Sequence, residues 1–250
     1  MTIDWEQLAR HQGALTVLDP EGHEIPTADY LATGETDLTA LLTASAQILG
    51  HEIPLATALD FGCGVGRLTL PLARRATTVT ACDLAPTMLT HARHNAEQAG
   101  LHNITYLTTD TLPTLPDGTF TFICSLLVFQ YIPRRTGYET IRTLMRLLAP
   151  NGIALLHVML APSGEALRRY ARFSRRSSTA PTRPAAISTP LYEYDERTVL
   201  REIQTADARI AARFDAPVGE KSGAVYLVEK GNGAGAKQGA RIGATKGRRR

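Results

Sequence analysis

Strand-like and helix-like segments alternate along most of this chain, and that alternation restricts the folds it can adopt. Seven short apolar or β-branched runs have the character of strands. Several are apolar at every position, which is typical of strands that are covered on both faces. We therefore predict an α/β fold in which helices cover both faces of a mainly parallel sheet. The predicted strands are Ala56–Phe61, Thr78–Cys82, Asn103–Leu107, Phe120–Phe129, Gly152–Leu160, Arg209–Phe214 and Gly223–Glu229.

The predicted helices lie between these strands and before them. Pro86–Gly100 begins with Pro and ends with Gly, which is typical of a helix. Only Asp215–Ser222 separates the last two strands, which is too short for a crossover helix. We therefore expect those two strands to pair antiparallel. The predicted helices are Asp37–Leu49, Gly66–Arg75, Pro86–Gly100, Arg135–Leu148 and Glu196–Thr205.

Three segments fall outside this alternation. Residues 1–50 are helical in parts, and we expect them to form an N-terminal cap on a main domain of residues 51–230. Residues 161–190 contain six arginines and then a turn-rich stretch, so we interpret them as a basic insert in that domain. Residues 231–250 are rich in glycine and basic residues, and we expect a disordered tail.

Charge is distributed unevenly along the 250 residues. The formal net charge is +3, but six of the 27 Lys and Arg residues lie in 231–250, which contains no Asp or Glu. The rest of the chain has 21 basic against 24 acidic residues, so it is mildly acidic. The tail is either a solubilising extension or a segment that contacts RNA or anionic lipid through its charge.

The sequence also bears on where in the cell the protein is located. No apolar run approaches the roughly 20 residues of a membrane helix, and the first residues lack a basic start followed by an apolar stretch. We therefore expect no membrane span and no secretory signal. The three cysteines are far apart and include no Cys-x-x-Cys pair, which indicates a reducing compartment and disfavours zinc. We expect a cytoplasmic protein with no metal site.

The candidate chemistry lies at the first strand-to-helix turn. A glycine-rich turn there lets the backbone approach a ligand closely. Its spacing is not that of the dinucleotide fingerprint, whose third glycine would fall on Arg67. Instead Gly62–Gly66 has the pattern Gly-x-Gly-x-Gly and follows Asp60. Asp83 ends the second strand and Asp110 follows the third, and the ends of adjacent strands face one crevice.

These acids and the glycine turn resemble the successive cofactor motifs of the class I methyltransferases that use S-adenosylmethionine. The resemblance runs from about Leu59 to Lys230. Leu147–Gly152 resembles the turn before that family's fifth strand, and Ala224–Lys230 its antiparallel last strand. Asp29–Glu35 resembles an element that caps the pocket in bacterial small-molecule members. The resemblance implies a Rossmann-like seven-stranded sheet, a methyltransferase domain over residues 51–230 and S-adenosylmethionine as cofactor.

The resemblance also implies roles for individual residues. The methionine part of the cofactor would lie against the glycine turn, with Asp60 orienting the turn or receiving the amino group. Asp83 would hold the ribose hydroxyls, with capping of the next helix as the alternative, and Leu84 would pack on the adenine. Asp110 would accept a hydrogen bond from the adenine amino group, with a purely structural role in the turn as the alternative. Ser125 would lie near the sulfonium. The predicted cofactor residues are Asp60, Gly62, Cys63, Gly64, Gly66, Asp83, Leu84, Met88, Asp110, Thr111 and Ser125.

The segment after the fourth strand bears on the methyl acceptor. Adenine- and glutamine-directed relatives carry Asn/Asp-Pro-Pro-Tyr there, cytosine C5 enzymes a Pro-Cys nucleophile, and magnesium-dependent catechol-type enzymes an Asp. This chain has Cys124-Ser125 at that place. DNA and metal-assisted chemistry are therefore disfavoured. The segment is similar to the His-His stretch of small-molecule members, with Gln130 and Tyr131 in the His positions.

Methyl transfer needs an acceptor placed in line with the methyl group and often a general base. Tyr131 and His157 are the catalytic candidates, although His157 lies inside a predicted strand and fits a buried core histidine equally well. Tyr131 either orients the acceptor or packs at the rim of the pocket. Tyr30 and Gln130 are candidates for contact with the substrate.

The arginine-rich insert is the remaining clue to the substrate. In the resembled family the stretch after the fifth strand often covers the acceptor, so Arg168 and Arg172 would suit an anionic acceptor. The alternative is a solvated helix face. The predicted function is methyl transfer from S-adenosylmethionine to the oxygen or nitrogen of a small molecule. The alternative function is an RNA or protein methyltransferase recruited through residues 231–250.

Overall fold

The structure is a computed structural model that describes residues 5–12, 27–162, 191–218 and 221–232. The strands β1 to β7, in chain order, are Thr57–Phe61, Thr78–Asp83, Ile104–Thr108, Phe120–Ser125, Leu148–Met159, Ala208–Asp215 and Gly223–Lys230. The α-helices α1 to α6 are Trp5–Gln12, Thr27–Leu49, Thr69–Ala73, Pro86–Gln98, Arg134–Leu147 and Glu196–Gln204. Short 3₁₀ helices cover Thr109–Thr114 and Phe129–Tyr131.

The seven strands form one sheet in the order β3-β2-β1-β4-β5-β7-β6. β1 pairs in parallel with β2 on one side and with β4 on the other. β7 is antiparallel to both of its neighbours, β5 and β6. The predicted Rossmann-like sheet, parallel except for its last strand, is therefore confirmed. The short connection between β6 and β7 accounts for that antiparallel pairing.

Apolar side chains cover both faces of the sheet. Leu59 of β1 belongs to the core beneath α5 and α6, together with Ile141 and Val199. Its neighbour Ala58 points to the opposite face, where it packs with Leu38 of α2 and other side chains. Because successive residues of a central strand are both buried, the strands are continuous apolar runs in the sequence. α2 contributes to the core of the sheet through Leu38.

The first helix after β1 is shorter than the sequence predicts. Its prediction begins at Gly66, whereas α3 begins at Thr69. Gly66 has a φ of +96°, which no right-handed helix accommodates, so the glycine turn occupies the first residues of the predicted helix. Pro71 lies in the first turn of α3, where its missing N–H costs no hydrogen bond.

The fourth and fifth strands also differ from their predicted bounds. The apolar run Phe120–Phe129 leaves the sheet at Ser125, because the backbone turns at Leu127 with a φ of +62°. β5 begins at Leu148 rather than Gly152, and a register shift separates that first pair from the regular ladder with β4. The first difference depends on a backbone angle and the second on strand pairing, and apolarity encodes neither.

Several predictions lie partly or wholly outside the described residues. The basic insert falls mainly on 163–190 and the basic tail mainly on 233–250, and neither range is described. Arg168 and Arg172 belong to the first of these ranges. Among the residues that are described, no helix combines the length and apolar character needed to cross a membrane.

Candidate active site

A cavity of about 500 Å³ opens at the carboxyl ends of β1, β2 and β4. This is the place where the strand order reverses, since β2 and β4 lie on opposite sides of β1. Ligands bind at such a switch point in open α/β sheets, and the volume is within the ~300–1,000 Å³ of typical ligand pockets. The cavity wall includes nine predicted site residues: Tyr30, Asp60, Gly62, Cys63, Gly64, Asp83, Leu84, Met88 and Tyr131.

The glycine turn forms the wall of the cavity above β1. The backbone N–H groups of Gly62 and Cys63 both donate to the carbonyl of Cys82, at 2.7 and 3.0 Å, which ties the turn to β2. Gly62 and Gly64 have φ angles of +77° and +52°, in the region that favours glycine. A Cβ added to Gly64 would meet no heavy atom within 4 Å, so the backbone there faces open space.

Asp83 connects the glycine turn to the start of α4. Its Oδ2 accepts from the backbone N–H of Gly64 at 2.9 Å, and its Oδ1 accepts from that of Ala85 at 3.0 Å. The carboxyl group also forms part of the cavity wall. Burial raises the pKa of Asp83, while the backbone donors favour its ionised form. Each oxygen has a further lone pair with which to accept from a ligand.

Asp60, at the end of β1, is a second buried acid in the wall. It is 2% exposed, and its Oδ2 accepts from the Thr69 hydroxyl at 2.6 Å. Burial raises its pKa to about 6, and the Thr69 hydrogen bond and the nearby Arg67 cation oppose that rise. A cationic ligand in the cavity would favour the ionised carboxylate further.

Arg67 is a functional candidate that the sequence interpretation missed. Its side chain lines the cavity, and its Nη1 donates to Oδ2 of Asp37 at 2.6 Å. The guanidinium lies 5.6 Å from the centre of the Tyr30 ring. Burial raises the pKa of Tyr30 to about 12, so its hydroxyl stays protonated at neutral pH. The only sequence signal was the position of Arg67 directly after the third glycine.

α1 brings Trp5 to the cavity wall, where it forms an aromatic wall together with Tyr131. Trp5 lies edge-on to Tyr131, with 4.9 Å between the ring centres. The carboxylate of Glu6 accepts from the backbone N–H of Thr87 at 3.0 Å and from its hydroxyl at 2.6 Å. These hydrogen bonds hold α1 against the start of α4, and they lower the pKa of Glu6 to about 2. Trp5 was not predicted as a site residue.

The wall is mainly apolar and carries more negative than positive charge. Among the lining residues that the structure describes, the acids are Asp60, Asp83 and Glu139, and Arg67 is the one cation. The thiol of Cys63 also lines the cavity, but burial raises its pKa well above the ordinary value and keeps it protonated. The cavity therefore favours a ligand that is positively charged or neutral where it meets the acids.

Five predicted residues near the strand ends lie outside the cavity wall. Asp110 is exposed and accepts from the Thr108 hydroxyl at 2.5 Å. Ser125 and Gln130 are almost fully buried, and the amide of Gln130 hydrogen-bonds to Tyr131. The remaining two are Gly66 and Thr111. Gly66 shapes the turn, since an added Cβ would lie 3.6 Å from Ala92 of α4.

His157 lies beneath the cavity rather than in its wall. It is 2% exposed, its Nδ1 accepts from the backbone N–H of Leu127 at 3.2 Å, and its Nε2 is 2.9 Å from the carbonyl of Ala216. Burial lowers the pKa of His157. Both ring nitrogens are thus occupied by backbone groups, and neither faces the cavity as a general base would.

Comparison with known proteins places this site in a family context. Residues 58–152 match a family model described as a methyltransferase domain. The ubiquinone biosynthesis O-methyltransferase of Methylocella silvestris is 35% identical over 95 residues, which cover 38% of this chain and 36% of that protein. The 23S rRNA (uracil(1939)-C(5))-methyltransferase RlmD of Shewanella sediminis is 32% identical over 111 residues, 44% of this chain and 24% of that protein. The chain thus spans less than half the length of these curated relatives.

Solved structures share the fold at low sequence identity. The magnesium protoporphyrin IX methyltransferase ChlM of Synechocystis PCC 6803, with bound SAH, aligns with a TM-score of 0.61 and 18% identity over 90% of this chain and 98% of that one. A putative sarcosine dimethylglycine methyltransferase from Galdieria sulphuraria aligns with a TM-score of 0.58 and 14% identity over 80% and 86% of the two chains. These likenesses concern the fold.

Proposed function

We propose that the methyltransferase domain matched by residues 58–152 is of the class I, S-adenosylmethionine-dependent kind, and that it transfers the methyl group of that cofactor to a small-molecule acceptor. One observation carries the proposal. A single cavity brings together the glycine turn, the acids at the ends of β1 and β2, and the aromatic wall of Trp5 and Tyr131. The same cavity therefore has room for a nucleoside against the sheet ends and an acceptor against the aromatic residues.

The residues at the end of β2 fit the adenosine half of S-adenosylmethionine. The ribose hydroxyls would donate to the free lone pairs of Asp83, which already holds the turn in position. Leu84 is 59% exposed in the cavity wall, so it offers an apolar surface to a purine face. The open space beside Gly64 lets the ligand contact the backbone directly. Asp110, at the end of β3, would approach the adenine amino group from outside the wall.

The methionine half has an amino and a carboxylate group, and the wall has a partner for each. The Asp60 carboxylate would receive the ammonium group, which would stabilise its ionised form. Arg67 would meet the carboxylate, because it is the cation of the described wall and a guanidinium has further N–H donors besides the Nη1 that bonds Asp37 and Thr33. When bound, the cofactor supplies an electrophilic methyl group on a cationic sulfur.

The aromatic wall would position the acceptor. Tyr131 has a raised pKa because it is buried, so it is a neutral hydroxyl that can orient the acceptor but cannot take its proton as a phenolate. Trp5 and Tyr131 present apolar ring surfaces, which would exclude water from the reacting atoms. The proton of the acceptor would pass to Glu139 or to water, since Glu139 is the acid of the wall on α5.

The thiols of the described chain argue against one kind of RNA methylation, transfer to C5 of a pyrimidine, which is the reaction named for the rRNA relative. Methylation of that ring carbon needs a nucleophile that activates the ring. Cys63, Cys82 and Cys124 are all buried and burial raises the pKa of each thiol, so none of them provides a thiolate. Relatives that act on RNA and on a small molecule both exist, however, and the basic residues of 231–250 would suit RNA. An anionic acceptor would add contacts to Arg168 and Arg172.

Titration with S-adenosylhomocysteine, the product form of the cofactor, tests the first half of the proposal. We expect micromolar binding, followed by quenching or a shift of the emission of Trp5, the single tryptophan of the chain. An acceptor screen then compares the full chain with a chain that ends at residue 230. Activity on a small molecule that survives the truncation supports the proposal. Turnover of RNA that is lost with the tail would favour the alternative.

The proposal includes a cytoplasmic location. It is supported by the three cysteines, which are free thiols and buried in the described chain. Thiols persist in this form in a reducing compartment.

A further inference from the structure

One residue of the cavity wall has an unusual backbone conformation. Leu127 has a φ of +62°, and the other non-glycine residues with positive φ in the described chain are an Asn and an Asp. Asn and Asp tolerate this region because their short side chains hydrogen-bond locally, whereas a leucine does not. Leu127 is also 39% exposed towards the cavity. Strained conformations of this kind persist only where the surrounding structure holds them in place.

His157 is the group that holds this turn. Leu127 donates its backbone N–H to Nδ1 of His157, so Nδ1 carries no proton. The carbonyl of Ala216 can only accept, so Nε2 of His157 carries the proton and donates at 2.9 Å. The imidazole is therefore a neutral ring whose two nitrogens bridge the turn after β4 and the connection between β6 and β7.

The connection between β6 and β7 is built to receive this ring. The backbone N–H of Ala216 donates to the carbonyl of Gly223 at 2.9 Å. A Cβ added to Gly223 would lie 2.3 Å from the Ala216 oxygen and 3.0 Å from Nε2 of His157. A side chain at Gly223 would therefore disturb the hydrogen bond that fixes the ring.

The turn that His157 holds is packed directly against the cofactor loop. Val128 follows Leu127, and a Cβ added to Gly62 would lie 2.3 Å from Cγ2 of Val128. The two segments thus touch with no space between them. A change in the backbone of Leu127 would move Val128, and with it the glycine turn that the proposed cofactor contacts.

We propose that His157 is a positioning residue for the cofactor site, which it controls through the backbone of Leu127 and the contact between Val128 and Gly62. This inference rests on the proposed function, because it assigns an effect on cofactor affinity. His157 does not touch the reacting atoms. Its role is to hold one wall of the cavity in the conformation that the glycine turn requires.

Two substitutions separate the hydrogen bonds of the ring. His157→Asn places an oxygen near the position of Nδ1 and keeps an acceptor for Leu127, whereas His157→Gln places an amide near Nε2 and keeps a donor for Ala216. In the full chain, we expect His157→Asn to bind S-adenosylhomocysteine within about threefold of wild type. We expect His157→Gln to bind about tenfold more weakly, the effect of one lost buried hydrogen bond. In turnover, the KM for S-adenosylmethionine should rise more than kcat falls.

Leu127→Gly provides a second test, which measures how far the effect of His157 depends on the positive φ at residue 127. Glycine adopts positive φ without strain, so it should need His157 less. In the Leu127→Gly background, His157→Gln should weaken binding by less than about threefold, which is a measurable coupling between the two residues. Nitrogen chemical shifts of the histidines in the free protein should show His157 as the neutral ring with the proton on Nε2.

The outcomes distinguish this inference from the proposed function. Two results would overturn the positioning role and leave the proposed function intact. One is that the Asn and Gln variants bind S-adenosylhomocysteine equally well. The other is that His157→Gln weakens binding equally with and without Leu127→Gly. Variants that lose only thermal stability, with unchanged affinity of the folded protein, would do the same. A wild-type protein that binds no S-adenosylhomocysteine would overturn the proposed function and this inference together.

Discussion

Replacing Asp83 by Ala is the sharpest perturbation of the proposed cofactor site. The substitution removes the acceptor of two backbone N–H groups, those of Gly64 and Ala85. Hydrogen bonds to a charged group contribute ~1.5–3 kcal/mol each, but removing a buried carboxylate also relieves its desolvation. We therefore expect the free protein to lose only about 2 kcal/mol of its free energy of unfolding, measured by urea denaturation.

Asp83→Ala should change the free energy of cofactor binding by more than it changes the free energy of unfolding. Two ribose hydroxyls would lose their charged acceptor, and a loss of ~2–3 kcal/mol weakens binding roughly 30- to 150-fold. Calorimetric titration with S-adenosylhomocysteine measures this change. Asp83→Asn keeps one oxygen acceptor in the same shape, so it should weaken binding by about tenfold.

Asp117→Asn is the matched control, because it removes the same charge from an exposed turn at the opposite end of β4. The Asp117 carboxylate is 76% exposed and pairs with Arg146. Its loss should leave affinity for S-adenosylhomocysteine unchanged. If Asp83→Ala retained wild-type affinity while remaining folded, the assignment of Asp83 to the ribose would be refuted. A loss of equal size in Asp117→Asn would show that net charge alone, and not this site, governs binding.

Three further predictions concern other parts of the cavity. The folded-state pKa of Asp60 is about 6, above its ordinary value of 3.8, so the folded protein binds more protons between these values. The contribution of Asp60 to stability against urea should therefore fall as pH rises from 4 to 6, and Asp60→Asn should shift the slope of stability against pH by that contribution; an unchanged slope would contradict the burial argument. Glu6→Ala should release α1, shift the emission of Trp5 to longer wavelength and weaken cofactor binding severalfold, whereas unchanged emission would show that other contacts hold α1. Tyr131→Phe should keep binding and lower kcat, and Tyr131→Ala should impair both; unchanged turnover in both variants would exclude a role for Tyr131.

Much of the fold could be predicted because its signals are local. Each strand is a run of apolar or β-branched residues, and turn residues mark most of its ends. The predicted bounds of helices and strands were wrong where a single backbone angle sets them, as at Gly66 and at Leu127. A φ above zero at a leucine has no local sequence signal, since the tertiary contact with His157 is what maintains it.

The residues of the candidate site likewise divide into those that the sequence could assign and those that it could not. Asp60 and Asp83 could be assigned to one crevice, because acids at the ends of adjacent parallel strands must meet there. Tyr131 could be placed near that crevice because it follows β4. Trp5 and Arg67 could not be assigned, since α1 brings Trp5 to the cavity and the partners of Arg67, Asp37 and Tyr30, lie on α2.

The sequence by itself therefore determined the order of strands and helices, the glycine turn and the two acids beside it, because these follow from periodicity and from neighbours along the chain. Only the tertiary structure decided the role of His157, which bridges Leu127, 30 residues away, and Ala216, 59 residues away. A histidine in an apolar strand is compatible with a base, a ligand or a core residue. Its role was decided by which backbone groups the fold brings to its two nitrogens, and the spacing of residues along the chain carries no information about that.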